Sequence, residues 1–503
     1  MFQAIKYNQI KYLFILIILL VRSLVISQSS FEVFISSGNY EKIVDAIEDE
    51  IGNYYCIGYT SEVYSDENCG YMVKLDSDGE IVGEFTYCLP DSMVMFGHAL
   101  LKNDSLIVFS SKGSVVIGYN EVLTIYIIDD SLNIIYSMDQ SLFSTHYLGG
   151  VNPILTDSGH IVLLGFAVTK NELLEFDIFF YELNNNLDSI RCVLDIREGN
   201  QVGMDFLEDT ENKVYKVFGH GLYPNTNVSY DELIEFDSIF NFVSVDTIAW
   251  KLRSQHTSIW LDDSTYLLTG HKSVQNPSRT DIGIVKLNKE DELLAADHFG
   301  KPGDTVTYAG VNNNVDFVTK DNIYFGGTSN FIVNQWPWQT DNSWILLVNL
   351  DSNLNVNWLR FYGGDAFYHL WGLLATQDGG CLMYAVRYDE AVNFQEYDVY
   401  ILKVDSNGLL TSDREYPSIS INELIIFPNP AWNQITVKYP DIFNHRAREV
   451  VIFNALGKEV KRIPRPPGQP ESPIDMTGLA SGMYIAVLQS EGEKIATGKF
   501  VVR

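Results

Sequence analysis

Residues 348–356, VNLDSNLNV, show the pattern that decides the fold: apolar residues alternate on both sides of a turn-forming Asp-Ser-Asn centre. Such a pattern indicates a β-hairpin. It recurs as MVKLDSDGEI (72–81), YIIDDSLNI (126–134), YELNNNLDS (181–189), IEFDSIFNF (234–242), VKLNKEDEL (285–293) and LKVDSNGLL (402–410). The turns begin at 76, 129, 184, 237, 288, 351 and 405, so successive copies are 53, 55, 53, 51, 63 and 54 residues apart. The chain is therefore built from seven repeats.

Each hairpin is preceded by a further strand that ends near glycine, as in HIVLLGF (160–166) and TYLLTGH (265–271). A fourth apolar stretch with a polar turn comes before that strand, as in ILTDSGH (154–160). Four antiparallel strands per repeat predict an all-β fold, a seven-bladed β-propeller. The last repeat lacks an outer strand, and we expect residues 31–35 (FEVFI) to complete it. The alternative is an open solenoid.

Composition limits the classes of function. The 503 residues carry 34 Lys and Arg against 65 Asp and Glu, a formal charge of 34 − 65 = −31. Hydrophobic residues make up 46%, which is typical of a globular protein, and the length favours at least two domains. The negative charge repels phosphate backbones, so we expect no nucleic-acid partner. We also expect no cofactor.

The N-terminal residues 1–27 predict a secretory signal peptide. Lys6 and Lys11 precede the short apolar run YLFILIILLV (12–21), and a cut after Ser27 would place Gln28 at the new end. The alternative is an uncleaved N-terminal anchor. No other stretch is apolar enough to span a bilayer, so we expect no transmembrane segment in the mature chain. The propeller is then expected to occupy residues 28–418.

The C-terminal residues 419–503 have a different pattern. Several short strands predict a small immunoglobulin-like β-sandwich. Four segments stand out: FPNPA (427–431), VIFNALGKEV (451–460), IDMTGLASGMYIAVL (474–488) and GKFVV (498–502). In order and spacing they resemble the type A sorting domain of the bacterial type IX secretion system. The residues that carry the resemblance are Pro428, Asn429, Pro430, Gly457, Gly478, Gly482, Tyr484 and Lys499.

This resemblance implies a route and a partner. The chain would pass through the periplasm and be carried across the outer membrane by the type IX machinery, to be secreted or held on the outer cell surface. It also implies a Bacteroidetes-type bacterium as the source. The family's domain is usually removed on export, so the domain would be an address and the propeller would carry the activity.

Two of the five cysteines are predicted to face each other. The first hairpin pairs residues whose numbers sum to about 155 to 157, and Cys69 and Cys88 sum to 157. A disulfide bond there has feasible geometry and an oxidising compartment in which to form. The alternative is two separate buried thiols.

The loops between the second and third strands of each blade vary most, so we expect function at the edge of the ring that carries them, here called the loop-rich edge. Trp336 and Trp338 lie in such a loop, FIVNQWPWQTDNSW (331–344), and Tyr368 and Trp371 belong to the same edge. Exposed aromatic faces stack on sugar rings or hold apolar protein side chains. The alternative is that both tryptophan rings fold down onto the blade.

Three histidines, His98, His256 and His369, each fall just before or on an innermost strand, near the channel mouth. Facing imidazoles could bind a divalent metal or act as acid and base. The alternative is three unrelated histidines. We find no Gly-x-Ser-x-Gly, His-Glu-x-x-His or phosphate-binding glycine motif.

The sequence therefore favours a non-catalytic module that binds a glycan or a protein. A carbohydrate-active enzyme, a lyase or hydrolase at the channel mouth, is the second hypothesis. A structural surface protein is the third. Fold alone does not decide among them.

Overall fold

The computed structural model describes residues 29–410 and 424–503, with gaps at 63–66, 104, 115–118, 171–175, 198–199, 223–228, 255, 276–277, 302–305, 393–395, 439–448, 456, 465–470 and 491–492. The expected signal peptide lies outside the described residues. In the described part of the chain all regular elements are strands apart from two single 3-10 turns, Ala249–Lys251 and Val333–Gln335. No helix there is long and apolar enough to cross a membrane.

Seven antiparallel sheets follow one another along the chain, one for each repeat. Blades 1 to 4 consist of β2 (Tyr40–Glu48), β3 (Tyr54–Ser61), β4 (Asn68–Leu75) and β5 (Ile81–Tyr87); β6 (Ser92–Lys102), β7 (Ser105–Ser114), β8 (Tyr119–Ile128) and β9 (Ile134–Gln140); β10 (His146–Leu155), β11 (Ile161–Thr169), β12 (Phe176–Leu183) and β13 (Ser189–Asp195); and β14 (Asn200–Asp209), β15 (Val214–Leu222), β16 (Ser229–Asp237) and β17 (Phe242–Thr247).

Blades 5 to 7 consist of β18 (Ser258–Asp262), β19 (Thr265–Val274), β20 (Arg279–Asn288) and β21 (Leu293–Phe299); β22 (Thr307–Ala309), β23 (Val315–Thr319), β24 (Asn322–Ser329), β25 (Trp344–Leu350) and β26 (Val356–Gly363); and β27 (Phe367–Ala375), β28 (Cys381–Tyr388) and β29 (Asp398–Val404) with β1 (Phe31–Ile35). In blade 6 the innermost strand is split, since β22 and β23 both pair with β24.

The predicted closing strand is confirmed. β1 pairs antiparallel with β29, from Phe31 opposite Lys403 to Ile35 opposite Val399. Blades 7 and 1 also share one apolar core, in which Leu382 and Tyr384 of β28 pack with Ile43 of β2. The sheets therefore form a closed ring and not an open solenoid.

The repeated turns share one hydrogen-bonding pattern. The side chain of the first Asp or Asn accepts bonds from later backbone amides; Asp351 Oδ1, for example, accepts from Asn353 N and Asn355 N, both at 2.8 Å. This bonding satisfies the carboxylate locally, so the turns act as Asx turns and not as calcium loops. The fourth turn position takes positive φ. Glycine stands there in two copies, while Leu132, Leu187, Phe240, Asp291 and Leu354 take φ of 62° to 67° in the others.

Burial offsets this strained backbone at Leu354. Its side chain is fully buried in the core between blades 5 and 6. We expect Leu354→Ala to lower the free energy of unfolding by about 3 kcal/mol, because a core leucine is lost while the unfavourable φ remains. Chemical denaturation measures the effect. Ile239→Ala is the matched control, since Ile239 lies in the equivalent turn of blade 4 and is 53% exposed. Equal stability of the two variants would contradict the argument.

The C-terminal strands form two facing sheets. One contains β30 (Ile425–Phe427), β31 (Gln434–Lys438) and β34 (Glu471–Asp475); the other contains β33 (Glu459–Pro464), β32 (Glu449–Asn454), β35 (Gly482–Ser490) and β36 (Glu493–Val502). Their apolar faces share one core, with Ile435 and Val437 from the first sheet and Ala486 and Leu488 from the second. This is the expected small β-sandwich.

Candidate functional site

A loop at residues 310–314 contacts the inner strands of several blades. It joins β22 to β23 in blade 6 and bonds to three other blades. The Asn312 side-chain amide donates to Val44 O of blade 1 at 2.9 Å, and Asn312 N donates to Trp371 O of blade 7 at 2.7 Å. Thr269 Oγ1 of blade 5 donates to Asn314 Oδ1 at 2.5 Å. The loop therefore lines the inner side of blades 5, 7 and 1, at the channel mouth. This loop accounts for part of the longest spacing between repeats, the 63 residues from the turn at 288 to the turn at 351.

Three aspartates on inner strands, two buried and one half-buried, join neighbouring blades. They are Asp45, Asp205 and Asp316, and their partners on the next blade are Ala99 N at 3.0 Å, Ser258 Oγ at 2.9 Å and Ala375 N at 2.8 Å. Each also accepts a bond from the backbone amide of the following residue. Burial raises the pKa of Asp205 and of Asp316 to about 6, against the opposing effect of these bonds. These carboxylates act as structural links.

The two tryptophans of the loop in blade 6 point in different directions. Trp336 is 49% exposed. Trp338 is half-buried, with ring centroids 4.8 Å from Tyr397, 5.3 Å from Tyr388 and 6.1 Å from Tyr40. Neither a platform of two exposed rings nor a pair of covered rings describes the loop, because one ring anchors it and the other is presented to solvent.

The buried side chain of Gln339 organises this loop. Its Oε1 accepts from Ile332 N at 2.7 Å, and its Nε2 donates to Asn330 O at 2.8 Å and to Asp341 O at 2.9 Å. Tyr397 donates its hydroxyl to Pro337 O. A buried amide with both ends satisfied fixes the loop backbone. Trp336 is therefore presented on a preorganised segment.

Tyr368 and Trp371 differ in their setting. Tyr368 is only 2% exposed, and its hydroxyl donates to Asp365 Oδ1 at 2.8 Å. Its ring packs in the core against Tyr400, so it is not the exposed aromatic face that the sequence suggested, although its side chain borders a pocket beside Arg387. Trp371 is half-buried beside the loop at residues 310–314, at a bulge of β27 between Leu370 and Gly372.

The three histidines lie on or just before innermost strands, as expected, but in separate environments. His98 Nδ1 lies 3.4 Å from Asp45 Oδ2. Burial lowers the pKa of His98, but the bond to Asp45 and the charges of Asp45 and Asp205 together outweigh burial and raise it. His256 bonds through Nδ1 to Thr269 O at 2.9 Å. His369 is buried among aromatic rings. Within the described ranges, no group of three or more His, Cys, Asp or Glu side chains could hold a metal ion. The metal site expected from these histidines is therefore not assembled there.

A site that sequence reasoning missed lies around Lys42 of β2. Its side chain is 4% exposed, and Nζ lies 4.0 Å from the ring centroid of Trp371 and donates to Tyr59 Oη at 3.1 Å. The ring centroid of Tyr40 is 5.2 Å from Nζ. His369 lies on β27, two residues before Trp371. We call these residues, Lys42, Tyr40, Tyr59, His369 and Trp371, the Lys42 cage.

The sequence holds one signal of this cage. A lysine inside the strand YEKIVDAIE, which is buried on both faces, must have its charge compensated by neighbours. Two of the neighbours, His369 and Trp371, come from blade 7, at the far end of the propeller sequence, and no local pattern predicts them.

Cys69 and Cys88 form a disulfide bond, with Cα atoms 4.5 Å apart. The bond joins the start of β4 to the residue after β5. The remaining cysteines, Cys56, Cys192 and Cys381, are free.

The sorting-motif residues occupy turns and the last strands of the sandwich. The Asn429 side chain ties the Pro428-Asn429-Pro430 segment to β36, since its Oδ1 accepts from Val501 N at 3.0 Å and its Nδ2 donates to Lys499 O at 3.3 Å. Gly457 and Gly478 take φ of 75° and 87°, a backbone that glycine adopts without strain. Gly482 begins β35, and Tyr484 donates its hydroxyl to Ala480 O at 2.7 Å.

The sequence profile described as "Secretion system C-terminal sorting domain" matches residues 425–503. These residues are a type IX C-terminal sorting domain, and the protein is secreted to the cell surface or beyond. No curated protein matches the chain.

Solved structures with similar folds have low sequence identity. The extracellular domain of a candidate one-component system protein from B. thetaiotaomicron is 12% identical at a TM-score of 0.40, over 95% of this chain and 58% of that chain. The phage phi92 endosialidase is 10% identical at 0.38, over 92% and 88%. The α-L-arabinofuranosidase Arb93A of Fusarium graminearum is 9% identical at 0.34, over 75% and 97%. These scores carry no argument about activity.

Proposed function

We propose that the propeller is a non-catalytic glycan-binding module that is exported by the type IX route and uses its loop-rich edge. The observation that carries the proposal is the fixed position of Trp336. Its ring is half exposed on a loop that is held in place by Gln339 and by the packing of Trp338 against Tyr397. Tryptophan supplies a large contact area with few torsions to freeze, so a fixed exposed ring favours stacking on a sugar.

The inner-strand carboxylates support binding over catalysis. A glycosidase needs two carboxyl groups free to reach the scissile bond. Asp45, Asp205 and Asp316 instead bond to backbone amides of their own and the next blade. These three aspartates therefore act as links between blades, and we expect aromatic and amide groups to recognise the glycan.

The proposed organisation follows from the same argument. Residues 1–27 are a signal peptide, residues 28–418 are the binding propeller, and residues 419–503 direct export. In this arrangement the loop-rich edge is the surface that a secreted or surface-held protein offers to glycans outside the cell.

Trp336→Ala tests the proposal on the chain of residues 28–503 with a glycan array followed by calorimetry. We expect loss of about 2 kcal/mol of binding free energy, roughly a 30-fold rise in Kd, because an exposed anchor ring is removed. Trp432→Ala is the control, since Trp432 is 68% exposed in the sorting domain and should leave affinity unchanged. A wild-type protein that binds no glycan, or a Trp336→Ala variant with unchanged affinity, would refute the proposal.

A further inference from the structure

An open cavity of about 440 Å³ lies between blades 4 and 5. Its walls come from the start of β16, from the end of β19 and from residues 247–253, which cross from blade 4 to blade 5. Because successive strands of a blade are antiparallel, these three segments all lie at the loop-rich edge, the edge that also carries Trp336. We call this cavity the basic pocket, after three cationic side chains that line it, Lys251, Arg253 and Lys272.

The cations of the basic pocket are accessible and poorly neutralised. Lys251 is exposed, and the side chain of Arg253 is 54% exposed. Among the described residues, no carboxylate forms an ion pair with Lys251 or Lys272. Burial, and then the charge of Lys251, lower the pKa of Lys272. Two ammonium groups that repel each other beside an open cavity would both be stabilised by an anion that contacts them.

Asp231, the one carboxylate among the described lining residues, is already engaged. Its Oδ1 accepts from Ser254 N at 2.8 Å and bonds to His220 Nδ1 at 3.0 Å, and its Oδ2 is 3.8 Å from Arg253 Nε. Burial raises the pKa of Asp231, but the bonds from His220, His256 and Ser254 outweigh burial and hold that pKa well below its usual range. Asp231 is therefore charged, and it can offset one of the three cations.

The backbone that carries Lys251 and Arg253 is fixed on both sides. Leu252 is 1% exposed in the core shared by blades 4 and 5. Arg253 exchanges two backbone hydrogen bonds with His271 of β19, at 3.0 and 2.6 Å. Trp250 and Lys251 both take positive φ, of 58° and 56°. Left-handed backbone at two successive non-glycine residues is unfavourable and persists where the surroundings impose it, which is common at ligand sites.

The cations keep donors for a ligand. Lys272 Nζ donates one N–H to Trp250 O and lies 3.9 Å from the centroid of that ring, so the ammonium has further N–H groups to offer. The guanidinium of Arg253 presents a planar fork that matches two oxygens of an anionic group. Tyr230, half-buried in the same wall, adds a ring of the kind that packs on a pyranose.

We infer that the basic pocket binds the anionic group, a carboxylate or a sulfate, of an acidic polysaccharide. This inference rests on the proposed function, which supplies the glycan, and adds the charge of the ligand and the residues that recognise it. Arg253 pairs with two oxygens of the anionic group, and Lys251 and Lys272 donate to the same group. Tyr230 packs against the sugar ring that carries it.

The net charge of −31 does not prevent this binding. A cleft lined by one sign of charge attracts the opposite charge locally, even where the rest of the surface repels it. At physiological ionic strength, charges farther apart than about 8 Å are largely screened, so the cations in contact with the ligand decide its affinity.

The test measures binding of dextran, carboxymethyl-dextran and dextran sulfate, which share one backbone, to the chain of residues 28–503 by calorimetry at about 0.15 M salt. We expect a charged form to bind at least about tenfold more tightly than dextran, because charge-assisted bonds are added. The form that binds more tightly identifies the anionic group. Arg253→Ala should raise its Kd about tenfold, and Lys251→Asn should raise it several-fold, asparagine being chosen because it tolerates positive φ.

Lys320→Ala is the matched control. The side chain of Lys320 is 52% exposed, close to the value for Arg253, and it pairs with Asp262 at 3.0 Å in the turn between the first two strands of a blade, at the opposite edge. This variant changes the net charge by the same amount as Arg253→Ala and should leave the affinity unchanged. An equal loss in both variants would show a general effect of net charge and would overturn the inference.

Sodium sulfate and sodium acetate are titrated alone in the same buffer. Free anions that bind as tightly as the charged dextran would overturn the assignment to a polysaccharide. Equal binding of all three dextrans, binding of none of them, or an unchanged affinity in Arg253→Ala would overturn the inference. The proposed function is judged separately, since it fails only if no glycan of the array binds or if Trp336→Ala leaves the affinity unchanged.

Discussion

A chain that ends at residue 410 is expected to fold and to remain in the periplasm. Every propeller strand lies between residues 31 and 404, so this truncation removes none of them. It removes the whole of residues 425–503, the sorting domain that directs export. We therefore expect thermal unfolding of the propeller close to that of the full mature chain, together with loss of the protein from the cell surface and the medium.

Cell fractionation with external protease measures the location of the truncated chain. The control is an unrelated periplasmic protein carrying residues 411–503 at its C-terminus, which should reach the surface or the medium. Truncated protein found outside the cell would show that the export signal lies within the propeller. A truncated chain that unfolds at a much lower temperature would show that the sandwich contributes to propeller stability.

Removal of residues 29–35 is expected to destabilise the entire ring. These residues supply the outer strand of blade 7, and without them β29 has an unpaired edge. Two anchors are lost at the same time. Lys403 Nζ, fully buried, donates to Ser29 O at 2.7 Å as well as to Asp378 Oδ2 at 2.6 Å, and the ring of Phe31 packs 5.9 Å from that of Tyr54.

Two point variants separate the packing from the strand itself. Phe31→Ala should lower the free energy of unfolding by about 3–5 kcal/mol, because Phe31 is only 8% exposed. Phe34→Ala, on the same strand but 49% exposed, should change it by less than about 1 kcal/mol. Denaturant unfolding gives both values, and light scattering follows association of the shortened chain. A truncated protein as stable and as monomeric as the full chain would disprove closure by β1.

The pairing of β1 with β29 joins positions 31 and 403, so the last blade can form only when the rest of the propeller sequence is present. Contacts between residues this far apart along the chain form late in folding, because the entropy cost of closing the loop between them must be overcome before the strands pair. The disulfide Cys69–Cys88, with a separation of 19 residues, is by contrast a local contact within blade 1.

The repeat pattern was sufficient for the blades because hairpins are local. The turn at Asp351 bonds to amides two and four residues away, and the alternation of Val348, Leu350 and Leu354 with polar residues assigns faces. The missing outer strand of blade 7 could be inferred by counting strands. The sorting domain was recognisable because its motifs are contiguous, as in Phe427-Pro428-Asn429-Pro430.

The candidate site was predicted only in part. Trp336 stands exposed, but Trp338 in the same run of sequence is half-buried, because its neighbours Tyr388 and Tyr397 come from blade 7. His98 and His369 both lie on inner strands, yet a position on an inner strand does not fix which side chains meet across the ring.

The sequence by itself determined the all-β class, the seven repeats, the closing strand and the export domain, since these depend on alternation, turn chemistry and contiguous motifs. Only the tertiary structure decided that the loop at residues 310–314 bonds to Val44 and that Lys42 lies against Trp371. Those contacts join strands from the two ends of the propeller sequence. Ring closure brings such residues together, and no interaction between neighbours in sequence encodes their meeting.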